Sequence, residues 1–103
     1  MVDQKTLFHR QMLQVYENAK DQDYFATYFK GMLDQYGGLE TAKRLLAKSQ
    51  PQTGLFRLWE LRMLDSSMEA LVIQHRFSEL FTKGEIREAR KRLEELNYFK
   101  DYE

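Results

Sequence analysis

The chain of 103 residues contains no cysteine, which excludes a disulfide framework, a thiolate metal site and a cysteine nucleophile. It has one proline and five glycines, so residues that interrupt helices are scarce. No apolar run approaches the roughly eighteen residues of a membrane span, and the first residues lack the pattern of a signal peptide. From these features we expect a cytoplasmic protein.

The chain also lacks an excess of charge of either sign, because sixteen basic residues balance sixteen acidic residues. It therefore has no strong overall field that would draw it to nucleic acid or to an anionic membrane. Residues 39–62 are the local exception, with five cations and only two acids. A candidate nucleic-acid patch consists of Lys43, Arg44, Lys48 and Arg57. The alternative interpretation of these cations is an ordinary solvated surface.

Residues with catalytic or ligand-binding chemistry are few. His9 and His75 are the only histidines, and neither has a second ligand at metal-binding spacing. The pair Gly37-Gly38 lacks the lysine and the hydroxyl residue of a phosphate-binding loop. Helix capping accounts for Ser66 and Ser67. The sequence therefore predicts no catalytic residue, no cofactor, no metal and no enzymatic activity.

What the chain does contain is apolar residues that repeat at intervals of three and four, which is typical of helices. We predict one all-α domain over residues 1–103, a compact bundle of five to six short helices. It comprises an N-terminal helix (1–20) and a core helical unit (21–99). The first helix is expected at about 3–20. The second follows the capping residues Asp21 and Asp23 and runs from Tyr24 to 36, and the third covers 39–48. The later helices are expected at 55–63, from Ser66 to about 75, and after Thr82. Residues 49–54 are the predicted loop.

Helix boundaries are marked by specific residues. Gly37 has the freedom to end a helix in a left-handed conformation. Ser66 is three residues before Glu69, and Thr82 is three residues before Glu85, so both pairs have the spacing of a capping box. In the last helix, the spacing of Glu88 and Arg92 predicts a solvent-facing ion pair.

Aromatic residues make up 14% of the chain, enough to suggest a contact surface as well as a core. Trp59 lies in the densest apolar segment, residues 54–81, and is expected in the core. A candidate interface with a protein partner or a second copy combines tyrosine and arginine, the usual anchors of protein contacts. Its members are Tyr24, Tyr28, Tyr36, Arg57, Arg62 and Arg76.

Three segments, GGLETAKRLL, LFRLWELRMLDSSMEALVIQHRFSELF and EIREARKRLEELNYF, resemble a small all-helical domain found in many bacterial proteins. The resemblance covers about residues 36–99 and implies an accessory or binding module with no catalytic residue. Met63 stands where such sequences often have glycine. Glu60 and Arg90 match polar positions of the pattern, which suggests a partly buried ion pair between the fourth and sixth helices.

Overall fold

The computed structural model describes residues 3–48 and 53–99, and in these ranges the chain is helical without strands. The α-helices are α1 (Gln4–Lys20), α2 (Thr27–Tyr36), α3 (Gly38–Leu46), α4 (Thr53–Glu60), α5 (Met68–Val72) and α6 (Lys83–Glu95). Two 3₁₀ helices, Leu64–Ser66 and His75–Leu80, precede and follow α5. The predicted all-α bundle is confirmed. No helix in the described ranges is long and apolar enough to cross a membrane.

The first helix, α1, begins where the Asp3 carboxylate accepts a hydrogen bond from the Thr6 backbone N–H at 2.7 Å. The apolar spacing of this helix predicts an inward face of Phe8, Met12, Val15, Tyr16 and Ala19. All of these except the half-buried Tyr16 are buried. The ring of Phe8 packs edge to face against Phe77 and Phe81, with centroids 5.1 and 5.2 Å apart. α1 is therefore an integral part of the core of this chain.

The hydrophobic core joins α1, α2, α3, α5, the second 3₁₀ helix and α6. Its buried members are Phe8, Met12, Val15, Met32, Leu33, Ala42, Leu45, Leu46, Met68, Leu71, Val72, Phe77, Phe81 and Ala89. The buried side chains of α4, Leu55 and Leu58, lie outside this cluster. α4 instead packs against the Leu64–Ser66 segment, at the edge of the bundle.

The start of α2 differs from the prediction. The helix begins at Thr27, so Tyr24 and Phe25 lie in the connection that precedes it, and no aspartate caps it. Asp23 adopts a positive φ of 62°, which turns the chain before the Tyr24 N–H donates to the Ala19 carbonyl. A non-helical turn therefore replaces the expected first turn of α2.

Gly37 ends α2 as predicted, with a φ of 82° that favours glycine. The next residue, Gly38, begins α3 and donates its backbone N–H to the imidazole Nδ1 of His9 at 2.8 Å. A Cβ atom on Gly38 would lie 2.6 Å from the Cα of His9, so α1 and α3 meet here at a distance that only glycine permits. The two glycines have different roles, one conformational and one steric.

One predicted capping box is present and the other is wrong. Thr82 and Glu85 form both reciprocal hydrogen bonds at the start of α6, at 3.1 and 2.8 Å. The cap of α5 is Ser67 rather than Ser66, because the Ser67 Oγ accepts from the Ala70 N–H and donates to the Leu64 carbonyl. α5 ends at Val72, before the predicted end at about 75, and a 3₁₀ helix that was not predicted begins at His75.

The fourth helix also has different bounds. It begins at Thr53 and includes Gly54, which was predicted to close the loop, and residues 49–52 of that loop lie outside the described ranges. It ends at Glu60, before the predicted 63, because Arg62 takes a φ of 61° and the Met63 N–H returns to the Leu58 carbonyl.

Candidate functional site

A largely apolar cavity of about 380 Å³ lies between the C-terminal half of α1, the start of α2, α4 and the start of α5. Among the described residues of its lining, five side chains are aromatic: Tyr16, Tyr24, Phe25, Tyr28 and Phe29. Most of the other described lining residues are aliphatic, and none of them is lysine, arginine or histidine. Glu69 is the one acidic residue in this described lining. The cavity therefore combines a wall of rings with a single carboxyl group.

The turn before α2 places part of this wall. Phe25 in this turn is 55% exposed, and Tyr28 in the first turn of α2 is 64% exposed, so both rings border the opening. Tyr24 lies deeper, and its hydroxyl would be 3.0 Å from a Cβ atom on Gly54. The absence of a side chain at Gly54 thus leaves room for the Tyr24 hydroxyl beside α4.

Glu69 also belongs to a buried cluster of charged side chains, which connects the cavity lining to α6 and to the end of α3. The guanidinium of Arg92 donates to Glu88 at 2.7 Å and to Glu69 at 3.4 Å. The same group donates to the main-chain carbonyls of Leu45 and Lys48, at 3.2 and 2.9 Å. These carbonyls lie at the C-terminal end of α3, where a cation is favourable.

This arrangement corrects two predictions. Arg92 is almost completely buried, whereas the pairing with Glu88 was expected to face solvent. Glu69 is buried as well and does not complete a capping box. Burial raises the pKa of Glu69 above its ordinary value, and the nearby charge of Arg92 opposes that shift only in part.

The outer face of α4, here defined as Phe56, Arg57, Trp59 and Glu60, is a second candidate surface. Trp59 is 49% exposed and Phe56 is 44% exposed, so the prediction of a core tryptophan is wrong. Leu55 and Leu58 occupy the inward positions of this helix. Phe56 and Trp59 each follow one of these leucines, and successive residues of an α-helix point about 100° apart, so the two rings lie on a different face. Arg57 and Glu60 lie 4.0 Å apart beside the two rings.

The predicted nucleic-acid patch is only partly assembled. Lys43, Arg44 and Lys48 share the α3 region, whereas Arg57 belongs to α4. Lys43 binds Glu85 at 2.7 Å, Arg44 binds Glu40 at 3.1 Å, and Lys48 lies over the ring of Tyr28 at 5.4 Å. Each cation of the α3 region therefore has a partner within the protein.

The predicted interface residues are likewise divided among several places. Tyr24 and Tyr28 line the cavity, and Arg57 lies on the outer face of α4. The ring of Tyr36 is covered by the guanidinium of Arg44 at 4.0 Å. Arg62 is exposed after α4, and the guanidinium of Arg76 lies 4.6 Å from the ring of Phe77.

The suggested ion pair between Glu60 and Arg90 does not form, although both residues lie in the described ranges. Glu60 is exposed and has Arg57 as its neighbour. Arg90 is also exposed and lies over the ring of Phe99 at 5.0 Å. The buried ion pair that joins α6 to another helix is Arg92 with Glu69 on α5.

Sequence reasoning missed Phe25 and Phe56 as exposed rings and Glu69 as a cavity residue. α4 did contain a signal, since Leu55 and Leu58 already supply one apolar face and Phe56 and Trp59 add a second. The described residues contain no group of three or more histidine, cysteine or acidic side chains suited to a metal ion. Comparisons with protein-family models, with curated proteins and with solved structures find no match to this chain.

Proposed function

We propose that this protein is a small helical interaction module, and that the outer face of α4 is its contact surface with a second copy of the chain. The observation that carries the proposal is the exposure of Phe56 and Trp59 side by side on one helix. Large aromatic residues are typical anchors of protein interfaces, and their exposure is unfavourable when they remain unpartnered.

Charge supports a second copy as the partner. Arg57 and Glu60 flank the rings with opposite signs, and their 4.0 Å separation makes a weak contact within one helix. In a twofold arrangement with antiparallel α4 helices, Arg57 of each copy faces Glu60 of the other. The same geometry brings Phe56 against Trp59 across the axis. The outer face of α4 is thus complementary to itself.

One eight-residue helix offers a small contact area. Small interfaces are generally weak, so we expect a dissociation constant in roughly the micromolar range or above. Binding to a different protein through the same rings is the alternative. A nucleic-acid-associated role has less support, because the cations of the α3 region already have partners. A cytoplasmic location stays a prediction from the sequence.

The test is the solution mass by light scattering over a range of concentrations, together with the emission of Trp59, the only tryptophan in the chain. We expect the mass to rise toward the dimer and the emission to shift to the blue as Trp59 leaves water. Phe56→Ser should keep the chain monomeric. Tyr36→Ser, on α2, is the control and should dimerise normally.

Charge-reversal variants test the proposed antiparallel arrangement of the two α4 helices. Arg57→Glu and Glu60→Arg should each weaken self-association, because each places like charges opposite one another across the axis. An equimolar mixture of the two variants should restore association, since opposite charges then face each other across the axis. A monomer at every concentration would exclude the second copy as partner. A dimer insensitive to these variants would place the contact elsewhere.

A further inference from the structure

We propose that the cavity between α1, α2, α4 and α5 binds a small organic cation, an alkylammonium or arylammonium compound whose apolar body lies among the aromatic rings and whose charge lies near Glu69. This site is separate from the outer face of α4. Its volume of about 380 Å³ is within the range of ligand pockets in proteins.

The aromatic lining suits a cation. Ring faces carry partial negative charge, so several rings around one space attract an ammonium group while also covering its hydrocarbon portion. Five of the fifteen lining residues that the structure describes are aromatic, from the end of α1, the turn that follows it and the start of α2. Phe25 and Tyr28 are the most exposed of them and flank the opening.

The charged groups near the cavity also favour a cationic ligand. Among the described residues, no basic side chain belongs to the cavity lining and Glu69 is its one carboxylic acid. Two lysines outside the lining contact its rings, Lys30 at 5.9 Å from Tyr16 and Lys48 at 5.4 Å from Tyr28, which shows that these rings accept a cation. Behind Glu69, a single guanidinium serves two carboxylates, and Arg92 lies closer to Glu88, at 2.7 Å, than to Glu69, at 3.4 Å. This group of three therefore carries one uncompensated negative charge when both acids are ionised.

A bound ammonium group would balance that charge. It would supply the N–H donors that Glu69, on the cavity side, receives only weakly from Arg92. It would also favour the ionised form of Glu69, whose burial otherwise raises its pKa. A neutral ligand of the same shape would obtain the contact with the rings and nothing from the carboxylate. An anionic ligand would be repelled.

Three probes of equal chain length separate these contributions: hexylammonium, hexan-1-ol and hexanoate. Their binding is measured by calorimetry, and the site is located from chemical-shift changes in NMR spectra of the whole chain. We expect hexylammonium to bind about tenfold or more tightly than hexan-1-ol, and hexanoate to bind most weakly. Shifts should concentrate on residues of the cavity lining.

Variants assign the preference to specific groups. Glu69→Gln should remove most of the tenfold preference for the cation and leave the affinity for hexan-1-ol nearly unchanged. Because Glu69 is buried and that variant can also disturb folding, Phe25→Leu and Tyr28→Leu at the exposed opening provide a second test. Each should weaken hexylammonium binding several-fold. Phe56→Leu, an exposed aromatic residue outside the cavity lining, is the matched control and should change nothing.

Equal affinity for hexylammonium and hexan-1-ol would overturn the proposal, as would a cation preference that persists in Glu69→Gln. Hexylammonium binding unaffected by both opening variants, or no binding at millimolar concentrations, would also overturn it. The result is independent of self-association, because Phe56→Ser provides a monomeric background in which the same titrations apply.

Discussion

Arg92 on α6 and Glu69 on α5 form an ion pair in the interior, with Nη1 and Oε2 3.4 Å apart and side-chain exposures of 1% and 4%. The guanidinium at the same time binds carbonyls at the end of α3. Three helices are therefore connected through one side chain. Such a group is costly to bury, and its removal leaves the remaining charge and carbonyls without a partner.

We expect Arg92→Met to destabilise the fold by about 3–5 kcal/mol, because Glu69 would keep its burial and lose its cation. The measurement is urea unfolding followed by circular dichroism. Arg87→Met, at an exposed position of the same helix, is the matched control and should change stability by about 0.5 kcal/mol or less. A similar small effect for both variants would show that Arg92 contributes little to stability.

The raised pKa of Glu69 predicts a dependence of stability on pH. Between the ordinary carboxyl pKa and the raised one, the folded chain binds more protons at Glu69 than the unfolded chain does. The contribution of Glu69 to the free energy of unfolding is thus greatest at acid pH, and it falls as pH rises through this interval.

The difference in free energy of unfolding between the wild type and Glu69→Gln isolates this contribution, since other titrating groups largely cancel. We expect the difference to shift against the wild type as pH rises through the interval. A shift in favour of the wild type would show that attraction to Arg92 outweighs burial.

The two serines before α5 distinguish the observed cap from the predicted one. Ser67→Ala should cost about 1–2 kcal/mol, because the Ala70 N–H loses its buried acceptor and the Leu64 carbonyl keeps only the backbone N–H of residue 67 as donor. Ser66→Ala should cost about 0.5 kcal/mol or less. Thermal or urea unfolding of both variants provides the comparison, and equal losses would contradict the assignment of Ser67 as the cap.

Replacing glycine by alanine should change the stability of the fold in opposite directions in α2 and α3. Gly31→Ala, with no atom within 4 Å of the added Cβ, should stabilise the chain by about 0.5–1 kcal/mol through helix propensity. Gly38→Ala should destabilise it by about 1–3 kcal/mol, because the Cβ would lie 2.6 Å from the His9 backbone. Stability losses of the same size at both positions would exclude steric contact with α1 as the reason for Gly38.

The sequence predicted features that depend on residues close together along the chain. The α1 face, the Gly37 stop and the Thr82 capping box involve residues at most a few turns apart, so spacing was sufficient. Arg92 had an equally regular spacing with Glu88, yet its other partners lie on α5 and at the end of α3, 23 to 47 residues away. No local pattern contains that information.

The candidate site likewise combines features that the sequence predicted with features that depend on distant parts of the chain. Apolar periodicity identified α4 as a helix, but it could not decide which of its two apolar faces would be covered. The cavity arises from the turn at Asp23, where an uncommon backbone conformation replaced the expected first turn of α2. Two of the predicted interface tyrosines do line that cavity, Tyr24 from the turn and Tyr28 from the first turn of α2.

The packing of Phe8 against Phe77 and Phe81 has a consequence for synthesis. The ribosome makes these aromatic partners about 70 residues after Phe8, which at translation rates of about 5–20 residues per second is a delay of roughly 4–14 seconds. During that time the apolar face of α1 has no partner ring from the second 3₁₀ helix. The nascent chain therefore completes this part of its core only after Phe81 has been synthesised, and until then the apolar face of α1 lacks these two partners.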